Sequence, residues 1–259
     1  MCATYATPVG TVALSTGIWS AASGMVAQGN ALDIASENVA NASTVGYRAD
    51  RTIFRQVLTS AQEVNPGSSS MRYAVTRTVQ PDLQAGEIRE TGNPLDVALT
   101  DDSSFLTVRT AEGLRYTRAG KLSVQADGTL ITPQGYPVLA DNLRPIVIPL
   151  QSTATFDDSG RLLIDGVQSD QSLSIVTFPN VHGLIKEGSA LMRARPEAGK
   201  PIRVDAQLRV GALEMSNSNA LQSMSGLVTA TRQFEMLARV IDAFSQAERR
   251  AATDIASRR

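Results

Sequence analysis

The sequence is short of the residues that most catalytic and metal chemistry needs. Its 259 residues include one cysteine, one histidine and one tryptophan. A single thiol, Cys2, forms no internal disulfide, and no Cys/His cluster has the spacing of a structural zinc site. One imidazole excludes every mechanism that needs two. There is no excess of charge of either sign: 24 Lys plus Arg face 25 Asp plus Glu, a formal net charge of -1. That balance argues against a nucleic-acid binder working by phosphate neutralisation. No hydrophobic run is long enough to cross a membrane, and the first residues lack the basic start and apolar stretch of a secretory signal. Aromatics make up only 5% of the chain although 42% is hydrophobic, so a core built from it is mainly aliphatic and alanine.

Glycine and proline are scarce towards the C-terminus. After Lys200 there are only Pro201, Gly211 and Gly226, whereas residues 80–199 are dense in both. Helix breakers thus crowd the centre. Near the N-terminus Ile18, Met25, Leu32 and Val39 stand seven apart, with Ala21, Gln28 and Ala35 between them. This is a helical stripe with a narrow seam and small neighbours. It runs into Asn41-Ala42-Ser43-Thr44-Val45-Gly46, a helix stop. Ile53, Phe54, Val57 and Leu58 suggest a further helical turn or two, and Asn65-Pro66-Gly67-Ser68-Ser69-Ser70 reads as a linker. At the other end Leu227, Phe234 and Ile241 alternate with Ala230, Leu237 and Phe244 at heptad spacing, predicting a long helix from about Ser218 to Ser257. Asn217 or Ser218 is positioned to cap it.

The middle reads as β structure. Phe105–Thr110, Leu114–Arg118, Leu122–Val124, Thr129–Thr132, Tyr136–Leu139, Ile146–Pro149, Thr153–Phe156, Arg161–Ile164 and Ser174–Phe178 are strand candidates separated by polar turns such as Ala126-Asp127-Gly128. Short strands at this spacing indicate an antiparallel sandwich or open barrel. The fold class is therefore α+β: N- and C-terminal helices pairing as a coiled-coil-like domain, with a central antiparallel β domain inserted.

The sequence points to no catalytic, cofactor-binding or metal-ligating residues. His182 lies after a strand candidate without a nucleophile elbow, and Cys2 sits in a weakly patterned leader. Asp101, Asp102, Asp127, Asp157 and Asp158 are the carboxylates from which a glycosidase pair would have to come, but each stands where turn chemistry alone explains an aspartate. A carboxylate-based peptidoglycan-degrading enzyme is the alternative from a different class. Neither a nucleic acid nor a small-molecule substrate is expected.

Three stretches resemble the axial proteins of the bacterial flagellum, the rod and hook family. The first runs from Ser23-Gly24-Met25 to Gly46-Tyr47-Arg48 and includes Asn38 and Asn41. The second is Thr91-Gly92-Asn93-Pro94-Leu95-Asp96-Val97-Ala98-Leu99, followed by Tyr116-Thr117-Arg118-Ala119-Gly120 and Asp127-Gly128-Thr129-Leu130. The third is Gly211-Ala212-Leu213-Glu214-Met215-Ser216-Asn217-Ser218-Asn219, then Thr231-Arg232-Gln233-Phe234-Glu235-Met236. Within the family these runs look most like proximal rod proteins, with a distal rod or hook component as the alternative. Where relatives carry a glycine-bearing turn this chain has Asp101-Asp102-Ser103-Ser104, which leaves the turn type open.

The resemblance implies a non-enzymatic subunit of the basal-body rod, which crosses the periplasm, polymerises into the drive shaft and serves motility. Its implied partners are copies of itself, other axial proteins and the flagellar type III export apparatus, with no cleaved signal peptide. Ile18, Met25, Leu32, Val39, Leu227, Phe234, Leu237, Ile241 and Phe244 become assembly residues, and Asn38, Asn41, Gly46 and Tyr47 the family signature. The implied division is 1–14 as a leader that relatives lack, with Leu14 a candidate alternative start; 15–64 as the N-terminal helical half of the assembly domain; 65–79 as linker; 80–200 as the β-rich domain; and 201–259 as connector and long helix.

Overall fold

The computed structural model of the chain describes residues 9–58 and 73–257. They fall into two compact units: Ala40–Asn219, and the two chain ends up to Val39 and from Ala220 on.

The Ala40–Asn219 unit is built from short antiparallel strands. In chain order they are β1 (Asp50–Leu58), β2 (Tyr73–Pro81), β3 (Ile88–Glu90), β4 (Val97–Leu99), β5 (Ser104–Thr110), β6 (Gly113–Thr117), β7 (Ser123–Val124), β8 (Leu130–Ile131), β9 (Ala154–Phe156), β10 (Arg161–Ile164), β11 (Val167–Ser172), β12 (Ile175–Thr177), β13 (Leu184–Glu187), β14 (Leu191–Ala194), β15 (Ile202–Arg203), β16 (Leu208–Val210) and β17 (Ala212–Glu214). Six of them form the main sheet, in the order β13-β14-β6-β5-β12-β15.

That sheet separates two cores. Ser104 to Val108 of β5 are all buried, and successive side chains of a strand point to opposite faces. Leu106 and Val108 therefore enter a large core with Leu99, Leu130, Val138, Ile146, Leu162 and Ile175. Phe105 enters a smaller one with Tyr116, Val176, Phe178, Leu184 and Met192. The larger core is aliphatic apart from Phe156 and partly buried Tyr136, as the low aromatic content implies. Three aromatics meet in the smaller core, where Phe178 lies edge-on to Tyr116 at 4.7 Å and to Phe105 at 6.3 Å between ring centroids.

Strands expected at Tyr136–Leu139 and Ile146–Pro149 form only isolated bridges, such as Val108 to Val138 and Thr129 to Val147. Pro137, Pro145 and Pro149 donate no backbone hydrogen bond there, which prevents a continuous ladder. The helical turns expected over Ile53–Leu58 are strand instead: β1 pairs with β2 continuously from Asp50 opposite Pro81 to Leu58 opposite Tyr73. The spacing of four apolar residues fits either element, and the distant partner strand decides. β2 begins within the span read as linker, and residues 59–72 lie outside the described residues.

The other unit holds the two α-helices among the described residues, α1 (Val9–Ala40) and α2 (Ala220–Ser257). α1 begins inside the span read as a leader, of which residues 1–8, with Cys2, lie outside the described residues. α2 is continuous over 38 residues, with Gly226 its single glycine and no proline. Thr229 and Thr231 return their hydroxyls to the carbonyls of Ser225 and Leu227 within it.

The coiled-coil-like pairing of these helices is corrected by their burial. A coiled coil buries its a and d residues as knobs in holes. Here Met25, Leu32, Val39, Leu227, Leu237, Ile241 and Phe244 are only half-buried, and Phe234 is 37% exposed. The buried apolar positions on the described helix faces are Ala21 and Ala230. The physical reason lies in α1, whose intervening seam residues Ala21, Gln28 and Ala35 are too small or too polar to act as knobs. The helices instead meet by close approach at a small residue: a Cβ on Gly24 would lie 3.4 Å from Leu237 Cδ1.

Candidate assembly site

Two places in the molecule carry the residues singled out by sequence: the base of the β unit and the faces of the helices.

At the base, the chain leaves α1 through a turn in which Asn41 Oδ1 accepts from Thr44 Oγ1 at 3.2 Å and Thr44 N donates to Asn41 O at 3.0 Å. Gly46 follows with φ +68°, and a Cβ there would stand 2.3 Å from Ala119 N. Only glycine fits, because the conformation is left-handed and the Arg118-Ala119 backbone lies against the α-carbon. Gly46 N donates to Glu214 O at 2.8 Å. The Tyr47 side chain is buried, with Lys186 Nζ 3.8 Å from its ring centroid. The same ammonium pairs with Asp50 at 2.9 Å, tying β1 to β13.

Next to this turn lies a buried charge cluster. Arg48, Arg118 and Glu214 are each at most 2% exposed. Glu214 Oε2 accepts from Arg118 Nε at 2.7 Å, and Oε1 accepts from Gly86 N at 3.1 Å. Arg118 also donates to the carbonyls of Ser104 and Asp101, each at 2.6 Å, and of Leu99 at 3.2 Å. Arg48 Nη2 stands 2.8 Å from Glu214 Oε1, within ion-pair distance but not aligned as a hydrogen bond, and its Nε and Nη1 meet no acceptor among the described residues. Burial pushes the Arg48 guanidinium below its ordinary pKa, Glu214 opposes that, and the neighbouring Arg118 adds to it.

Asn217 completes the base. Its Oδ1 accepts from Ala49 N at 2.7 Å, and its Nδ2 donates to Asp82 O and Gln84 O, each at 2.9 Å. The expectation that Asn217 caps α2 is thereby corrected: the amide is committed to backbone far away in sequence, and the helix begins three residues later. The Asp101–Ser104 segment is also explained. Asp101 Oδ2 accepts from Ser104 Oγ at 2.5 Å, Arg118 holds two of the carbonyls, and no residue there needs a positive φ.

On α2, Leu221, Met224 and Val228 lie three and four apart and are 79%, 52% and 49% exposed. Met236 and Val240, four apart, are also exposed, as is Val26 on α1. Single exposed apolar residues are unremarkable, whereas Leu221, Met224 and Val228 form a row along one face of the helix. The seam residues lie on another face of α2. Ile18 belongs to α1, and its side chain lies outside the described residues. Asn38 is buried in the last turn of α1, while Asn41, Gly46 and Tyr47 lie together at the base of the β unit.

Two of the carboxylates considered for acid–base work, Asp157 and Asp127, are held by turn geometry. Asp157 Oδ1 accepts from Ser159 N, Ser159 Oγ and Arg161 N at 2.8–3.0 Å, and Asp127 Oδ1 from Thr129 N at 2.9 Å. Burial opposes ionisation of Asp157, but its hydrogen bonds to Ser159 and Arg161 outweigh that and hold the carboxyl below its usual range. His182 is exposed in a 3-10 turn, and no group of residues able to hold a metal ion occurs among the described residues.

Arg48, Arg118, Glu214 and Lys186 were not singled out from sequence, and Asn217 only as a helix cap. One signal was present: the first three each stand in a separate family-like stretch, beside a glycine or an apolar strand. Their mutual contact is a matter of tertiary structure.

The comparisons with known proteins fall on the same segments. Residues 18–48 match the flagella basal body rod protein family, 101–164 the flagellar hook protein FlgE/F/G D1 domain, and 209–253 the flagellar basal body rod FlgEFG protein C-terminal family. The chain is 35% identical to the flagellar basal-body rod protein FlgF of Escherichia coli K12, over 80% of this chain and 85% of that protein. It is 32% identical to FlgF of Rhizobium meliloti, with 86% and 90% covered. It is 30% identical to the basal-body rod protein FlgG of Bacillus subtilis, with 86% and 93% covered. Near full-length similarity, with the N-terminal match ending in the Gly46-Tyr47-Arg48 turn and the C-terminal match containing Glu214, identifies the chain as a member of the flagellar basal-body rod protein family.

Proposed function

We propose that this chain is a structural subunit of the proximal part of the flagellar rod, polymerising through its terminal helices. It is a structural rod component of the basal body rather than an enzyme, and it assembles with other axial components of the flagellum. Support for the proximal position comes from the relatives named FlgF. A distal rod or hook role is the second reading, favoured by the similarity to FlgG and by the family shared with FlgE.

The observation that carries the polymerising role is the exposed apolar row of α2, Leu221, Met224 and Val228, on a helix that also presents the exposed Phe234 and the half-buried Leu227, Leu237, Ile241 and Phe244. Contacts of this kind that repeat head to tail without closing make a helical tube. In this reading 15–64 and 201–259 supply the assembly contacts, with Ile18, Met25, Leu32 and Val39 from the N-terminal side, and 80–200 forms the β-rich domain. Delivery by the flagellar export apparatus, without a cleaved signal, belongs to the same proposal.

The test is a strain lacking the gene. Loss of filaments with basal bodies arrested early in rod growth is the expected result. Full-length rods that lack only a hook would favour the second reading. Phe234→Asp, which places a charge on an exposed apolar position of α2, is expected to fail to restore motility.

A further inference from the structure

Arg48, Arg118 and Glu214 lie 70 and 96 residues apart in successive steps, yet all three are buried at one point of the β unit. One carboxylate between two guanidiniums leaves a positive charge uncompensated in the interior, where separating it from water is costly. The two arginines are not equivalent. Arg118 is anchored by three backbone carbonyls besides Glu214, whereas the one charged partner within ion-pair distance of Arg48 is Glu214. The next carboxylate that Arg48 senses, Asp102, is at the exposed surface.

We propose that Glu214 is the positioning residue of a charge-gated clasp: its carboxylate allows the Gly46-Tyr47-Arg48 turn to close over Arg118, so the N-terminal turn closes only once β17 has docked. Without the carboxylate, Arg48 would be buried against Arg118 with no counter-charge, and the turn is driven outwards. Arg118 stays in place on its carbonyls, so the opening is local. The hydrogen bonds between the 46–49 and 214–217 segments depend on the clasp: Gly46 N to Glu214 O at 2.8 Å, Ala49 N to Asn217 Oδ1 at 2.7 Å, and Asn217 N to Tyr47 O at 3.4 Å. Within the β unit the 44–50 and 212–217 segments are thus joined in a fixed order, C-terminal strand first. The clasp operates whatever the unit is assembled into.

Amide hydrogen exchange on the full chain tests this, comparing Glu214→Gln, Arg48→Met and the double variant, with residues 44–50 as the reporter and 104–108 of β5 as the internal control. Glu214→Gln is expected to speed exchange over 44–50 by about tenfold or more while 104–108 keeps its protection. Arg48→Met is expected to leave 44–50 close to the parent rate, because the remaining Arg118–Glu214 pair is balanced. The double variant is expected to recover most of the protection that Glu214→Gln loses, since it removes the stranded charge. Simple loss of packing at Glu214 would not be repaired by a second truncation at Arg48. Parent-like exchange over 44–50 in Glu214→Gln, or a double variant no slower than Glu214→Gln, overturns the proposal. If Glu214→Gln unfolds throughout, the double variant decides alone: a protected turn upholds the clasp, and an unfolded chain overturns it.

Discussion

Gly46 is held by two separate constraints, its left-handed φ of +68° and the Ala119 backbone 2.3 Å from where a Cβ would stand. An alanine adds conformational strain of about 1–2 kcal/mol and an overpacking cost of similar size, so Gly46→Ala is expected to lose about 3 kcal/mol. Gly135 has φ +83° but no atom within 4 Å of the same construction, so Gly135→Ala is expected to lose only the strain, about 1 kcal/mol. Urea unfolding midpoints of the two full-length variants check the difference. The need for a glycine at 46 was foreshadowed by its place in a helix stop. The atom it avoids was not, because Ala119 is over seventy residues away and no local pattern encodes it.

Among the elements, the loops of the base are joined through one side chain. Asn217→Ala removes an acceptor for Ala49 N and two donations to the 82–84 loop. Leaving these backbone groups without partners is expected to cost about 1–3 kcal/mol. Equilibrium unfolding followed by circular dichroism reads the loss. Three turns should respond to acid. Asp165 is lowered by hydrogen bonds from Thr153, Glu187 first by the hydrogen bond from Arg115, and Asp157 by its turn bonds in spite of burial. A carboxyl whose folded pKa is depressed contributes stability that is complete above its unfolded value and is lost as pH falls through the folded one. The loss should therefore begin below the ordinary values, 4.5 for Glu187 and 3.8 for the two aspartates, and deepen at lower pH. Amide exchange at Ser159, Arg161 and Thr153, rising ahead of that in β5, is the expected signature. The strands on either side of the Asp157 turn, β9 and β10, were legible because alternation and turn residues are local, whereas β11, β13 and β14 were not among the strand candidates. β1 was misread as helix because its pairing with β2 is not.

For the whole molecule, stability and assembly are expected to separate. Leu221 is 79% exposed, so Leu221→Glu should change the unfolding midpoint by less than about 0.5 kcal/mol. The same variant is expected to reduce swimming in a complemented strain if the α2 face is a subunit contact. Parent-like swimming would remove Leu221 from that surface. The pairing of these two readouts matters, because a variant that merely unfolds would fail both.

The sequence by itself determined that helices stand at the ends and antiparallel strands between them, and which family the chain belongs to. The element placement follows from the 3.6- and 2-residue periods and turn residues, which are local, and the family from the motif stretches around Gly46, Arg118 and Glu214. Tertiary structure decided what the helix seams do, that β1 is a strand, and that Arg48, Arg118, Glu214 and Asn217 form one base. Seven-residue spacing aligns apolar side chains along a helix, but burial depends on knobs on the opposing helix, and α1 offers alanine, glutamine and glycine. Charges in three distant segments reveal nothing of their mutual distance until the strands that carry them have paired.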